Sequence, residues 1–438
     1  MSPHVVSFHA ESAWLDGAVV RDVRIAVAAG RITALTPGVS AEPGEEVLTG
    51  LVFPGFANAH SHAFHRALRG RTHGDGGTFW TWRTAMYELA GRLDPDSYRE
   101  LATAAFTEMV LAGWTAVGEF HYLHHRPDGT PYEDPNAMAL ALRDAARAAG
   151  IRLVLLDALY LTSAPGDPVL PEQRRFCDGD ARAWARRVRQ LPADGFFRVG
   201  VAAHSVRAVA PADLSVVAET AWDLGAPVHV HLSEQPAENE ACRRAYGCTP
   251  TELLDRAGAL SPALSVVHAN HVTDADVALL GARQASVVAC PTTEADLGDG
   301  VGRARALADA GAVLALGTDQ HAVVDPFAET RGLEAAARLG SLRRGVFDPA
   351  DLVAALTTGG HRSLGLEGGT IAVGQPADLV AVRTGSVRTA GSDPSQLVMT
   401  ATAQDVTDVV VAGEVRVRRG GHAVVGEDRV ADVLRRFA

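Results

Sequence analysis

The 438-residue chain contains no lysine; all 40 of its basic side chains are arginine. That absence excludes Schiff-base chemistry, a phosphate loop that depends on its lysine, and a carbamylated lysine bridging two metals. Arginine stays protonated far above neutral pH, so it cannot serve as a tunable base. Proton transfer falls to His, Asp, Glu, Tyr or Cys. The arginine bias by itself reads as genome composition. Cysteine is scarce: Cys177, Cys242, Cys248 and Cys290 form no C-x-x-C pair. This points to a reduced, cytoplasmic enzyme without a disulfide frame. Long apolar runs are also missing, and none reaches the roughly 18 residues of a membrane-spanning helix. The start, MSPHVVSFHAESAWL, lacks the basic and apolar regions of a signal peptide. A net charge of −12 argues against a general nucleic-acid or anionic-membrane surface.

The chain has three parts by pattern. Residues 1–52 read as short strands and turns, with RDVRIAVAAGRITAL (21–35) alternating on both sides of Gly30 as a hairpin does. The segments ADLVAVRTG (377–385) and DVTDVVVAGEVRVRRGGHAV (405–424) read the same way. Residues 1–52 plus 367–438 therefore predict a small β-sandwich domain built from both ends. Between them, over 53–366, eight short apolar runs alternate with helical stretches. The runs are 51–60, 115–125, 151–161, 197–206, 226–234, 264–272, 285–293 and 312–321. Helices are predicted over 94–113, 134–150 and 211–225, each ending in Gly. Eight buried strands, each followed by a helix, predict an α/β fold, a (β/α)8 TIM barrel. Six of the eight runs carry His, Asp or Glu at their C-terminal end, the face where barrel active sites lie.

His60 and His62 sit at i and i+2 on the first run, so their side chains share one side. An isolated H-x-H is weak evidence for a metal. Here His229 and His231 repeat the pattern, His268 ends the sixth run and Asp319 ends the eighth. Several imidazoles and one carboxylate on one rim suit zinc or another first-row divalent ion. His229 reads as a packed or supporting residue, because one strand needs only one ligand.

PGFANAHSH, HVHLSEQ, the strand-end His268, GTDQH and GTIAVGQPADLVAV (369–382) resemble the amidohydrolase superfamily over essentially the whole chain. The resemblance implies metal ligands at His60, His62, His231 and Asp319. Binuclear members commonly carry the carbamylated lysine that this chain lacks, so one metal per chain is expected, zinc first, iron or manganese as alternatives. H-x-x-E from His231 to Glu234 resembles the deaminase branch. It implies that Asp319 takes a proton from water, that His268 orients the attacking hydroxide, and that Glu234 protonates the leaving nitrogen.

Within that branch, NAHSHAFHRAL (58–68), TFWTWRTAMY (78–87), EFHYLHH (119–125) and HSVRAVAP (204–211) resemble the N-formimino-L-glutamate deiminases of histidine degradation. These hydrolyse the formimino group to N-formylglutamate and ammonia. The resemblance implies substrate contacts from Arg83, Tyr122, His204 and Arg207, and a homodimer. A substrate with two carboxylates suits arginine's bidentate fork inside an otherwise acidic protein. Trp80 and Trp82 read as packing at the barrel mouth, and His124 and His125 as surface residues. HGDGG (73–77) suggests a mobile lid. At His65 the pattern breaks, since family members tend to have glutamine there. Two rivals remain open: a deaminase or chlorohydrolase acting on a purine, pyrimidine or triazine ring, and a catalytically dead scaffold. A ring calls for an apolar slot instead of two arginines, and a scaffold would have lost metal ligands.

Overall fold

The computed structural model describes residues 5–74 and 79–437. Its strands are β1 (Val5–Leu15), β2 (Ala18–Ala28), β3 (Arg31–Thr36), β4 (Glu46–Pro54), β5 (Phe56–Ser61), β6 (Trp114–His121), β7 (Arg152–Leu159), β8 (Thr162–Ala164) and β9 (Asp167–Pro168). They continue with β10 (Phe197–Ser205), β11 (Val228–Leu232), β12 (Leu264–His268), β13 (Ser286–Ala289), β14 (Val313–Leu316), β15 (Leu379–Val382), β16 (Val406–Val411), β17 (Glu414–Arg418) and β18 (Gly421–His422).

Both termini build one sheet, in the order β18-β17-β16-β15-β4-β1-β2-β3. The two ends meet where β4 pairs antiparallel with β15, Leu379 opposite Pro54. Strand alternation gives β15 two apolar faces. Leu379 and Ala381 join Phe8, Ile25 and Leu48 in the sheet's own core, while Val380 and Val382 pack into the barrel's core. The small β-domain is thus a single hydrogen-bonded sheet laid over its own apolar cluster and fixed to the barrel by its other side.

The second sheet is a parallel barrel in the order β14-β13-β12-β11-β10-β7-β6-β5. All eight apolar runs became its strands. The first run straddles two sheets: β4 belongs to the terminal sheet and β5 to the barrel, with Gly55 between them. A Cβ at Gly55 would lie 2.3 Å from Thr115 Oγ1 and 2.6 Å from Asp378 Cβ, so the crossing admits no side chain. The predicted helices appear as Pro95–Leu111, Ala137–Ala149 and Pro211–Leu224. Gly150 and Gly225 end two of them in the left-handed conformation.

The barrel closes between β5 and the end of β14. Asp319 N–H donates to His60 O at 3.0 Å, and His62 N–H donates to Asp319 O at 3.0 Å. Gly317 makes the closure possible, because a Cβ there would lie 2.8 Å from both His60 Cβ and His60 O. The seam is therefore built from the residues that carry the site. Among the described residues, no helix is long and apolar enough to cross a membrane. All four cysteines are free.

Candidate metal centre and active site

His60, His62 and His231 bring one ring nitrogen each into a buried group. Strand β5 supplies His60, the residue that follows its last position supplies His62, and β11 supplies His231. His60 Nε2 lies 3.1 Å from His231 Nε2. Asp319 Oδ1 lies 3.4 Å from His60 Nε2 and 3.4 Å from His62 Nε2. Backbone carbonyls fix the rings: His62 Nδ1 donates to Phe120 O at 2.9 Å and His231 Nδ1 to His204 O at 2.9 Å. With those protons on Nδ1, each Nε2 presents a lone pair toward its neighbours, the tautomer that metal ligation requires. Burial, reinforced by the neighbouring imidazoles, pushes all three histidines well below their ordinary pKa, so they are neutral. Converging lone pairs beside a carboxylate repel one another unless a cation lies between them. The donor set fits a divalent ion.

The rim around this group is strained where it is functional. His268 and Asp319, neither a glycine, have φ of 72° and 43°. Such left-handed geometry is unfavourable for residues with a Cβ and concentrates at working sites. It turns both side chains inward at the strand ends. His268 Nε2 lies 3.8 Å from Glu234 Oε1 and 3.8 Å from Asp319 Oδ2. Its Nδ1 faces Glu294 Oε1 at 3.3 Å. Burial alone would lower the pKa of His268, but the carboxylates of Glu234, Glu294 and Asp319 outweigh it and raise the value to about 10. Burial raises the Glu234 carboxyl above its usual range, against the pull of His268.

These groups open into a cavity of about 480 Å³ that Arg83, Tyr122, His204 and Arg207 also line. All the sequence-predicted site residues except His60, which lies beneath it, line this one space. Arg207 points a guanidinium nitrogen at Ser163 O, 3.4 Å away. Arg83 Nε donates to Tyr87 Oη at 2.5 Å. The Tyr122 hydroxyl meets His65 Nε2 at 3.0 Å, and both side chains line the cavity. Trp82 packs edge-on against His65 at 5.1 Å. The Trp80 side chain, Thr78 and residues 75–77 of the Gly-rich stretch, on which the expected lid rests, lie outside the described residues. His229 is buried and bonded to Ser363 O at 2.9 Å, away from the metal group. A larger apolar groove of about 560 Å³ beside Trp222 has only Arg362 as a charged residue in its lining and brings no catalytic group together.

The surface assignment of His124 and His125 is wrong: they are 1% and 5% exposed. They belong to a buried polar network in which Arg187 donates to both oxygens of Asp157 at 2.8 Å and reaches Asp178 at 2.7 Å. His125 Nε2 meets Asp178 at 3.1 Å. His121, His124 and Asp157 also cluster tightly enough to suggest a metal. However, Arg187 and Trp184 Nε1 already bond the Asp157 oxygens, and a guanidinium stands where a second cation would be repelled. Sequence reasoning also missed Glu294 and Glu238. Glu294 follows strand β13 in a segment with no histidine beside it, and no spacing signal marks it.

Two family models match: "Amidohydrolase family" over residues 51–416 and "Formimidoylglutamate deiminase HutF, N-terminal domain" over residues 5–48. The chain belongs to the amidohydrolase family. A formimidoylglutamate deiminase of Pseudomonas aeruginosa is 36% identical over 96% of each chain. A 5-methylthioadenosine/S-adenosylhomocysteine deaminase of Archaeoglobus fulgidus is 29% identical over 75% of this chain and 74% of its own. Among solved structures, an amidohydrolase from Brucella melitensis superimposes with a TM-score of 0.92 at 32% identity, covering 99% of this chain and 98% of that one. An adenosine deaminase from Xanthomonas campestris with bound zinc gives a TM-score of 0.85 at 26% identity, covering 99% and 97%. The protein is a hydrolase of this metal-dependent family and a homologue of formimidoylglutamate deiminase.

Proposed function

We propose that the protein hydrolyses N-formimino-L-glutamate to N-formyl-L-glutamate and ammonia. The observation that carries this reading is the pairing, in one cavity, of a histidine–aspartate cluster with Arg83 and Arg207. Residues 53–366 carry the chemistry as the barrel, and residues 1–52 with 367–438 form the supporting domain. His60, His62, His231 and Asp319 would hold one divalent ion, zinc first. Held there, such an ion would supply a water molecule acidified to a pKa of about 7.

The remaining work belongs to side chains. Asp319 Oδ2 faces His268 while Oδ1 faces the histidine ligands. Oδ2 is therefore the atom to accept the water's proton. His268 Nε2, steadied from behind by Glu294, orients the nucleophile and donates toward the charge that builds on the attacked carbon's substituents. Glu234, whose carboxyl burial raises above its usual range, hands a proton to the departing nitrogen. Two carbonyl-anchored imidazoles keep these parts in register. Arg83 and Arg207 hold the two carboxylates, and Tyr122 and His204 shape the wall between them and the metal. A reduced cytoplasmic setting and a homodimer complete the reading.

Arg207→Ala tests it. Removing a charge-assisted contact to a substrate carboxylate should lower kcat/KM for N-formimino-L-glutamate by about 10- to 1000-fold, or roughly 1.5–4 kcal/mol. Unchanged kinetics would take Arg207 out of the site.

A further inference from the structure

Glu238 lines the reaction cavity one helical turn beyond Glu234, at the start of the helix Pro236–Tyr246. One carboxylate oxygen, Oε2, accepts the Glu234 backbone N–H at 3.2 Å. That bond is an ordinary use of an acidic residue in a first helical turn. The other oxygen, Oε1, is buried and has no hydrogen-bond partner among the described residues. A buried acceptor left without a donor is unfavourable, and helix capping does not explain it. The charges acting on Glu238 come from two sides, Arg207 and Glu234. Glu238 shares its cavity with Glu234, the group assigned to the leaving nitrogen, and with Arg207, the arginine assigned to a carboxylate.

The substrate carries a group suited to each of the three. Its leaving nitrogen and its carboxylates are separated by the N–H that joins the formimino carbon to the amino-acid backbone. Amidines are strong bases, so at neutral pH this N–H belongs to a delocalised cation. The product is a neutral amide. We propose that Glu238 is a specificity-determining residue for the reaction, its Oε1 accepting the linking N–H of the cationic amidine. The inference rests on the formimino substrate assigned above. It explains why a cavity built for a dicarboxylate keeps a further acid beside Arg207. A charge-assisted bond is stronger than a neutral one, so the residue favours amidinium substrate over amide product and eases product departure. Burial pushes the Glu238 carboxyl up to about 7, with Arg207 opposing, and a cationic N–H beside it would hold the carboxylate form.

The test uses metal-loaded wild type and Glu238→Gln. Glutamine keeps an oxygen for the Glu234 amide and turns an NH2 toward the substrate's N–H. Two quantities are read: KM for N-formimino-L-glutamate, and Ki for glutarate, which has both carboxylates and no nitrogen. The expected result is a KM raised about 10- to 100-fold, with most of the loss in KM, not kcat, and a glutarate Ki unchanged within about twofold. An unchanged KM would overturn the inference. So would a parallel rise in KM and glutarate Ki, the signature of a role only in placing Arg207 or the helix. Wild type that releases no ammonia from the formimino acid would instead sink the functional assignment, and this inference with it.

Discussion

At the scale of single residues, the site depends on side chains that never touch substrate. His268 has a strained backbone and three carboxylates as neighbours, Glu234 and Asp319 at Nε2 and Glu294 at Nδ1. Glu294 is itself fixed by the Cys290 N–H at 2.9 Å, so it presents a rigid acceptor to His268 Nδ1. Groups that orient a catalytic or ligating histidine typically matter by about 10- to 100-fold. Glu294→Ala should therefore reduce kcat by about that factor while metal content stays at the wild-type level. Metal analysis beside steady-state kinetics separates this from a damaged metal group, and a variant with full kcat would show that His268 needs no support from Glu294.

Much of the residue scale was legible in sequence. H-x-H on a strand places two imidazoles on one side whatever the rest of the fold does. The strand ends then delivered His231, His268 and Asp319 to the same rim. Glu294 and Glu238 were not legible, because each owes its place at the site to tertiary packing, and neither has a spacing of its own. His124 and His125 were misread for the same reason. Adjacent histidines in a polar stretch look solvated until Asp157, Asp178 and Arg187 arrive from segments more than 30 residues away.

At the scale of elements, that buried network ties the end of β6 to β7 and to the helix Ala181–Val188. The segment it anchors carries Tyr122 into the cavity. Burial alone would raise the Asp157 carboxyl, but Arg187 holds it below the usual carboxylate range; Asp178 is depressed against the same burial by His125 and His124 together with Arg187. A depressed carboxyl contributes stability that is fully present above its unfolded value near 3.9 and is lost as pH falls through the folded value. Replacing the arginine reverses the sign, because two buried carboxylates then lose their counter-charge. Arg187→Gln should lose about 3–5 kcal/mol at pH 7. The gap to wild type should narrow as pH falls below about 5 and the orphaned carboxyls take up protons. Thermal melts of both proteins between pH 4 and 8 check this, and a gap independent of pH would contradict it.

The barrel itself was readable at this scale because each strand is buried on both faces and appears as a continuous apolar run. The division of the first run at Gly55 was not readable. Both halves are equally apolar, and only the packing of Thr115 and Asp378 against the glycine shows that the chain changes sheets there.

At the scale of the whole molecule, the missing lysine fits the rest of the structure. The fourth barrel strand, β10, ends in His204 and Ser205 and directs Arg207 at the cavity wall. The charge that this strand brings to the rim is a guanidinium, and the chain has no lysine that could be carbamylated there. Barrel closure and the histidine–aspartate cluster use the same residues, since His60 and Asp319 bond each other through backbone as well as facing each other through side chains. The metal group and the fold are therefore one construction. The most direct measurement is ammonia release by the purified protein from N-formimino-L-glutamate, run beside adenosine and 5′-methylthioadenosine. The account predicts steady turnover of the formimino acid, abolished by chelation and restored by zinc, with no ammonia from either nucleoside. Nucleoside deamination without turnover of the formimino acid would contradict it.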